Sequence, residues 1–325
     1  MTNRKAFLRG AMPALLGLAF PALGQEAILQ NTEEEPWRIV TVQVRLARRG
    51  FSCGQADNQG GARTLGALED YRAARGLTSA AALELLQKDR APVFGSYGIR
   101  ASDLASIGRA PADWEEASRV PAMAYESLTE LLSETFAVSE PYLRAINPGM
   151  DWGAVTAGVE VVVLNWREPR PAVAAGRVEI DPERYRLRVY DTAGALILSF
   201  PCSVAREQTK MPVGELKMTV FAKHPDYTFK PDNYPESPRA RQIGRALILP
   251  PGPNNPVGVY WIGLNKPGFG IHGTPHPASI GSMESHGCFR LTNRDILTLS
   301  RHVRSGMPVS IRAAARPAPT GADTL

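Results

Sequence analysis

The chain has 325 residues, long for one ordinary domain, and the length points to two or three. Hydrophobic residues make up 44% and charged residues 21%, which excludes a disordered or fibrous chain and fits a globular protein that can bury a core. Lys+Arg is 37 against Asp+Glu 32, a formal charge of +5 without any dense basic run, so nucleic acid is not an expected partner.

In chain order, the N-terminus comes first. Arg4, Lys5 and Arg9 precede an apolar stretch from Ala11 to Leu23, and Ala22-Leu23-Gly24 precedes Gln25-Glu26. Charge, a short apolar core and small residues in that order make residues 1–24 a secretory signal peptide. The apolar run is too short for a comfortable permanent span, and no later segment reads as transmembrane. Cleavage after Gly24 would remove three cations and no acidic residue, taking the net charge from +5 to +2. The expected location is therefore the periplasm or cell envelope, with no stable membrane span after cleavage. An exported chain can keep disulfides. Cys53, Cys202 and Cys288 are odd in number, so at least one is unpaired within the chain. If Cys288 is the reactive one, Cys53 and Cys202 either pair or stay as two separately buried thiols.

Residues 25–35 are polar and acidic and read as an entry segment. Val40, Val44 and Leu46-Ala47 then mark one face of a helix that stops at Arg49-Gly50. After a Gly-rich loop from Ser52 to Gly61, a second helix starts near Arg63-Thr64 and ends at Arg75-Gly76-Leu77, and a third runs from Ala80 to Gln87. The run VQVRLARRGFSCGQADNQGGARTLGALEDYRAARGL resembles the type 1 peptidoglycan-binding domain, a three-helix module, over residues 37–88. Its loop departs from that family's Asp-Gly-x-Phe-Gly form. The alternative is a helical spacer that only packs.

Residues 89–120 are rich in Ala, Pro, Gly and Arg and read as a linker with short helical pieces. Residues 121–168 read as helix, turn, helix, Asn147-Pro148-Gly149 and a strand of Val residues. This pattern is similar to a LysM module, a strand-helix-helix-strand unit that grips amino-sugar polymers. The alternative is a docking segment for the domain that follows.

After the Pro-Arg-Pro hinge at 169–171, alternation takes over: Val178 and Ile180, then Tyr185, Leu187 and Val189, then Leu196, Leu198 and Phe200. Asp191-Thr192-Ala193-Gly194 reads as a hairpin turn. Further strands are expected at 215–222, 245–250, 258–264 and 308–312, with a helix from Asn293 to Arg304. The whole chain is thus α+β, a mostly β mixed domain with one C-terminal helix preceded by small helical modules. Residues 314–325 read as a disordered tail.

The chemistry concentrates in YWIGLNKPGFGIHGTPHPASIGSMESHGCFRLTNRDI, residues 260–296, which hold three of the five histidines, one cysteine and, just after it, Arg290. A thiol with an ordinary pKa of about 8.5 needs a neighbouring base to act as a nucleophile near neutral pH. It also needs donors for the oxyanion that forms on the attacked carbonyl. Ser285-His286-Gly287-Cys288 supplies a tight turn that can aim backbone N–H groups inward, and His272 can approach from the end of the preceding strand. By ligand type alone, His272, His276, His286 and Cys288 could also hold zinc. No Cys-x-x-Cys pair supports a metal, and the nucleophile–base reading fits the Gly turn better, so neither metal nor cofactor is expected.

This segment resembles the YkuD-type L,D-transpeptidase catalytic domain: a His, then a dozen or more residues, then Ser/Thr-His-Gly-Cys, followed closely by Arg or Asn. The resemblance covers about residues 175–313. Cys202, Ala205 and Met211 stand where the usual pattern differs, outside the Ser-His-Gly-Cys run. The resemblance implies a β-sandwich-like domain with a C-terminal helix. It implies Cys288 as nucleophile, His272 as base, the Gly273 carbonyl as its orienter and the backbone N–H groups of Gly287 and Cys288 as the oxyanion hole. It further implies Ser285, His286 and Arg290 as substrate-binding positions, Arg290 for a carboxylate of the peptide stem. His286 alone reads as a loop support, His276 as an exposed loop residue, and Arg290 could instead pair with Asp295. The implied partners are peptidoglycan stem peptides and glycan, with a wall-attached protein as an alternative acyl acceptor. The implied reaction is cross-linking of tetrapeptide stems through a thioester on Cys288. Two rivals stay open: an L,D-carboxypeptidase or cross-link hydrolase, and a non-catalytic wall-binding protein.

Overall fold

The computed structural model describes residue 35 and residues 37–207, 211–234, 237–285 and 287–313. The expected signal peptide at 1–24, the expected tail at 314–325 and His286 lie outside them. Two compact units emerge. The first holds the described residues up to Ala110 together with Ala124–Arg170, and the second holds Pro111–Met123 together with the described residues from Pro171 onward.

In the first unit, α1 (Arg38–Arg48), α2 (Ala62–Arg75) and α3 (Ser79–Gln87) fall where helical spacing placed them. The Thr78 hydroxyl caps α3 by accepting from Ala81 N–H, and Gly76 ends α2 with φ +61°, a conformation glycine adopts without penalty. Residues 89–120, expected as a linker with short helical pieces, contain a strand as well. They carry β1 (Phe94–Gly98), α4 (Ala101–Ala105) and the short α5 (Trp114–Ala117). After α6 (Leu128–Thr135) and α7 (Glu140–Ala145), β2 (Glu160–Leu164) pairs antiparallel with β1, Phe94 opposite Leu164. The strand-helix-helix-strand unit therefore takes its first strand from Phe94–Gly98, upstream of residue 121. Two glycines in five residues weaken its strand propensity, which hides it from sequence reading. Asn147 locks the unit: its amide donates to Leu143 O and Val162 O, and its Oδ1 accepts from Val162 N–H.

The helical module and this unit share one core. Val40, Val44 and Ala56 pack with Leu132, Val138 and Leu143. Ala56 N–H donates to Ala137 O, Ser139 N–H donates to Ala56 O, and Gln55 Nε2 donates to Ser133 Oγ at 2.7 Å.

In the second unit, β3 (Ala175–Asp181), β4 (Arg186–Asp191), β5 (Leu196–Pro201), β6 (Val204–Ala205), β7 (Gly214–Lys223), β8 (Tyr227–Phe229), β9 (Leu247–Leu249), β10 (Tyr260–Leu264), β11 (Gly270–His272), β12 (Met283–Ser285), β13 (Phe289–Arg290) and β14 (Pro308–Ile311) accompany helices α8 (Pro238–Ile243) and α9 (Asn293–Ser300). Eight strands form one mixed, curled sheet in the order β13-β11-β10-β7-β14-β3-β4-β5, and the two-stranded pairs β12-β6 and β8-β9 stand beside it. This is the α+β class read from the sequence. The alternation holds: Val178, Ile180, Leu187, Val189, Leu198, Val309 and Ile262 are fully buried in one core. The Asp191 turn forms as expected, with Asp191 Oδ1 accepting from Ala193 and Ala195 N–H and Gly194 at φ +87°. Cys53, in the first unit, and Cys202, in the second, are both buried, and neither is in a disulfide among the described residues. Among the described residues, no helix is long and apolar enough to cross a membrane.

Candidate active site

Three strands at one edge of the large sheet carry the site. β11 lies between β10 and β13: Trp261 stands opposite His272 on the antiparallel side, and on the parallel side Ile271 faces Phe289 while His272 faces Arg290. Successive side chains of a strand point to opposite faces. Ile271 and Phe289 are fully buried in the core, so Trp261, His272 and Arg290 share the other face. Cys288 lies immediately before β13, next in the chain to Phe289. Continuing the β11–β13 register by one residue would put the Cα atoms of Cys288 and His272 about 8 Å apart, a span that a thiol and an imidazole can close.

The His272 ring is buried and its Nδ1 lies 2.6 Å from Gly273 O. A carbonyl can only accept, so Nδ1 carries the hydrogen and Nε2 keeps its lone pair. The Trp261 indole stacks on the imidazole, centroids 5.4 Å apart and planes within 18°. Burial pushes the His272 pKa down to about 4; the Gly273 hydrogen bond opposes this and the Arg290 charge adds to it. A side chain at Gly273 would run into Asn293 Oδ1 and come within 3.2 Å of Ile296, so the residue that orients the imidazole has no room for a Cβ. Asn293 opens α9 and ties down the neighbouring loop, donating to Pro253 O at 3.0 Å and accepting from Val259 N–H at 3.2 Å.

Cys288 is partly exposed. Its Sγ lies 3.6 Å from Gly268 O, and the backbone of Gly270 hydrogen-bonds to it as well. Burial pushes the thiol pKa up, while the Gly270 hydrogen bond and Arg290 pull it back part of the way. The resting site therefore holds a neutral thiol and a neutral imidazole. Gly287, just before the cysteine, takes φ +152°, a conformation that L side chains rarely adopt. Arg290 is half-buried, and its Nε is buried with no hydrogen-bond partner among the described residues. Ser285 ends β12, where its backbone pairs with Ala205 on β6. His276 is exposed, as expected of a loop residue. Among the described residues no cluster of three or more His, Cys, Asp or Glu is placed to hold a metal.

Sequence reasoning passed over three contributors. Trp261 becomes visible only once β10 and β11 are paired around the Lys266-Pro267-Gly268 turn. Ser203, fully buried, accepts from Gly281 N–H at 3.1 Å, donates to Ser279 O at 2.8 Å, and pairs its backbone both ways with Arg290. It joins the two ends of the loop that carries Cys288. The Tyr227 hydroxyl meets the Tyr234 hydroxyl at 2.6 Å. Burial, then Tyr234, then the nearby Cys288 push the Tyr227 pKa up. The tyrosines have no spacing signal that links them to the cysteine.

The YkuD family, described as an L,D-transpeptidase catalytic domain, matches residues 175–311. YkuD of Bacillus licheniformis, which carries an L,D-transpeptidase name, is 31% identical over 182 residues, covering 56% of this chain and 92% of its own. YkuD of Bacillus subtilis strain 168, similarly named, is 28% identical over 180 residues, covering 55% and 90%. Among solved structures, an L,D-transpeptidase from Mycobacterium smegmatis aligns with a TM-score of 0.34 and 18% identity over 49% of this chain and 65% of that one.

Proposed function

The chain belongs to the YkuD family of L,D-transpeptidases, and from that premise we propose that it is an exported enzyme that carries the acyl group of a peptidoglycan tetrapeptide stem as a thioester on Cys288. The observation that carries the reading is the pairing of β11 with β13, which sets His272 opposite Arg290 on the strand that follows Cys288, with the His272 Nε2 lone pair left unprotonated.

The chemistry follows acyl transfer. As Cys288 Sγ attacks the carbonyl of the third stem residue, its proton passes to His272 Nε2. The resting site disfavours both charges, so the transfer accompanies attack rather than preceding it. The backbone N–H groups of Gly287 and Cys288 take the oxyanion. The His272 imidazolium then gives its proton to the amine of the terminal D-alanine, which leaves as the carbon–nitrogen bond breaks. A thioester remains. An amine of a second stem attacks it, His272 takes the proton, and the Cys288 sulfur is expelled and reprotonated. The product is a cross-link between the third residues of two stems. An amine on a wall-attached protein would instead tether that protein, and water would make the enzyme an L,D-carboxypeptidase. Arg290 suits a stem carboxylate, since its Nε has no hydrogen-bond partner among the described residues and a charged, half-buried guanidinium gains from an anion. Residues 37–88 and the strand-helix-helix-strand unit would hold the enzyme on glycan, and residues 1–24 would direct export.

The test incubates signal-less protein and its Cys288→Ala variant with tetrapeptide muropeptides and reads products by mass. A cross-linked dimer made only by the wild type supports the proposal. Tripeptide alone means that water is the acceptor. Binding without any product, in wild type and variant alike, leaves a wall-binding protein.

A further inference from the structure

The second unit contains a piece of chain that its neighbours in sequence do not join. Pro111–Met123 belongs to this unit, while Ala110 and Ala124 belong to the first. Asp113 starts α5 by accepting from Glu116 N–H at 2.9 Å. The next residue, Trp114, stacks on Phe229 with centroids 4.8 Å apart and planes at 22°, and sits 5.7 Å from the Tyr234 ring. Phe229 and Tyr234 stack on each other at 5.3 Å. Arg239 Nη2 reaches back to Asp113 at 2.6 Å and Glu115 at 2.7 Å. At the far end, Met123 N–H donates to Pro251 O and its carbonyl accepts from Asn254 N–H.

Those contacts fall on both stretches that frame the site. Tyr227 and Phe229 lie two apart on β8 and point the same way, so the ring that Trp114 supports is next in line to the tyrosine beside Cys288. The loop that Met123 holds is the one whose Pro253 carbonyl is tied to Asn293, against Gly273 and thus behind His272. The inference rests on the reading of Cys288 as the acyl carrier. We propose that Trp114 is a positioning residue: it fixes the arm of β8, β9 and α8 beside Cys288, and the arm in turn holds the acyl donor. Core filling alone would loosen the arm once the ring at position 114 is lost, yet leave the thiol indifferent to it. A positioning role makes both depend on it, because three stacked rings and one hydroxyl pair connect Trp114 to the Tyr227 side of the site. Electrostatic coupling between Tyr227 and both Cys288 and Arg290 fits the same arrangement.

The experiment compares wild type, Trp114→Ala and Trp114→Phe in the full chain by three readings: amide exchange, the rate at which iodoacetamide alkylates Cys288 (located by peptide mapping), and kcat and KM for a tetrapeptide stem. In the alanine variant, exchange should quicken in residues 227–234 and 237–249 but not in β3 to β5, and alkylation should rise about threefold as the arm loosens. KM for the stem should rise about tenfold with a smaller change in kcat, and Trp114→Phe should restore most of it. Should the alanine variant fold poorly, Arg239→Ala frees the Asp113 end without emptying the ring pocket and should give the same pattern at lower amplitude. Wild-type exchange and alkylation in the variants would overturn the proposal, as would a uniform rise in exchange that includes β3 to β5. If wild-type enzyme leaves stems unprocessed while exchange and alkylation still shift, the acyl-transfer reading fails and the positioning role stands.

Discussion

A buried imidazole with one nitrogen committed to a backbone carbonyl has one task left for the other. His272 meets that description, and its depressed pKa keeps Nε2 available as a base even in mildly acid surroundings. The same depression has a stability consequence. The unfolded chain binds this proton near the ordinary value of 6.5, the folded chain only near 4. The contribution is therefore fully present above about pH 6.5 and lost as pH falls toward 4, a loss of about 3 kcal/mol for this residue. Urea unfolding at pH 7 and pH 4.5 should show a steeper acid loss in the wild type than in His272→Gln; equal slopes would refute the assignment. Cys288 and His272 were legible in the sequence because a thiol in a Ser-His-Gly-Cys turn and a His after a strand are rare together. Trp261 and Ser203 were not, because each acts through a partner set by strand pairing: Trp261 lies across a hairpin from His272, and Ser203 reaches a loop 76 residues away.

Elements translate these residues into a site. The β10–β11 turn supplies Gly268 to the thiol and the start of β11 supplies Gly270, and the Ser203 end of the segment before β6 closes the loop from Ser279 to Arg290. Removing the Ser203 hydroxyl takes away the acceptor of the Gly281 and Ser282 N–H groups, while Ser279 O keeps its bond from Ser282 Oγ, a loss of about 1–3 kcal/mol. Ser203→Ala should therefore melt earlier than wild type and lose kcat/KM along with it; an unchanged melting temperature with unchanged turnover would show that the backbone pair with Arg290 suffices. Most strands were legible because period-two alternation marks them: Val178–Ile180, Leu187–Val189 and Leu198–Phe200 all bury the expected side. What alternation cannot supply is strand order, and the pairing of β11 with β13 is what brings Cys288 to His272. β1 stayed hidden for a local reason, its two glycines, while α4 and α5 are short helical pieces of the kind expected there.

At the scale of the molecule, the two N-terminal modules read separately from the sequence share a core, since the apolar face of α1 meets α6 and α7. A fragment of residues 37–88 alone would leave Val40 and Val44 without those partners. It should unfold without a cooperative transition, whereas residues 37–170 should melt cooperatively; a sharp transition in the short fragment would contradict the shared core. The sequence could not reveal this fusion, because each helix pattern satisfies its own periodicity and says nothing about which neighbour covers it. The second unit carries the central claim, that Cys288 holds the acyl group. Acid quenching of enzyme mixed with a tetrapeptide muropeptide, in the absence of an amine acceptor, followed by peptide mapping, tests it directly. The account predicts a stem tripeptide attached to the peptide containing Cys288, with one D-alanine released for each adduct. D-alanine release with Cys288 unmodified at every time point would contradict it.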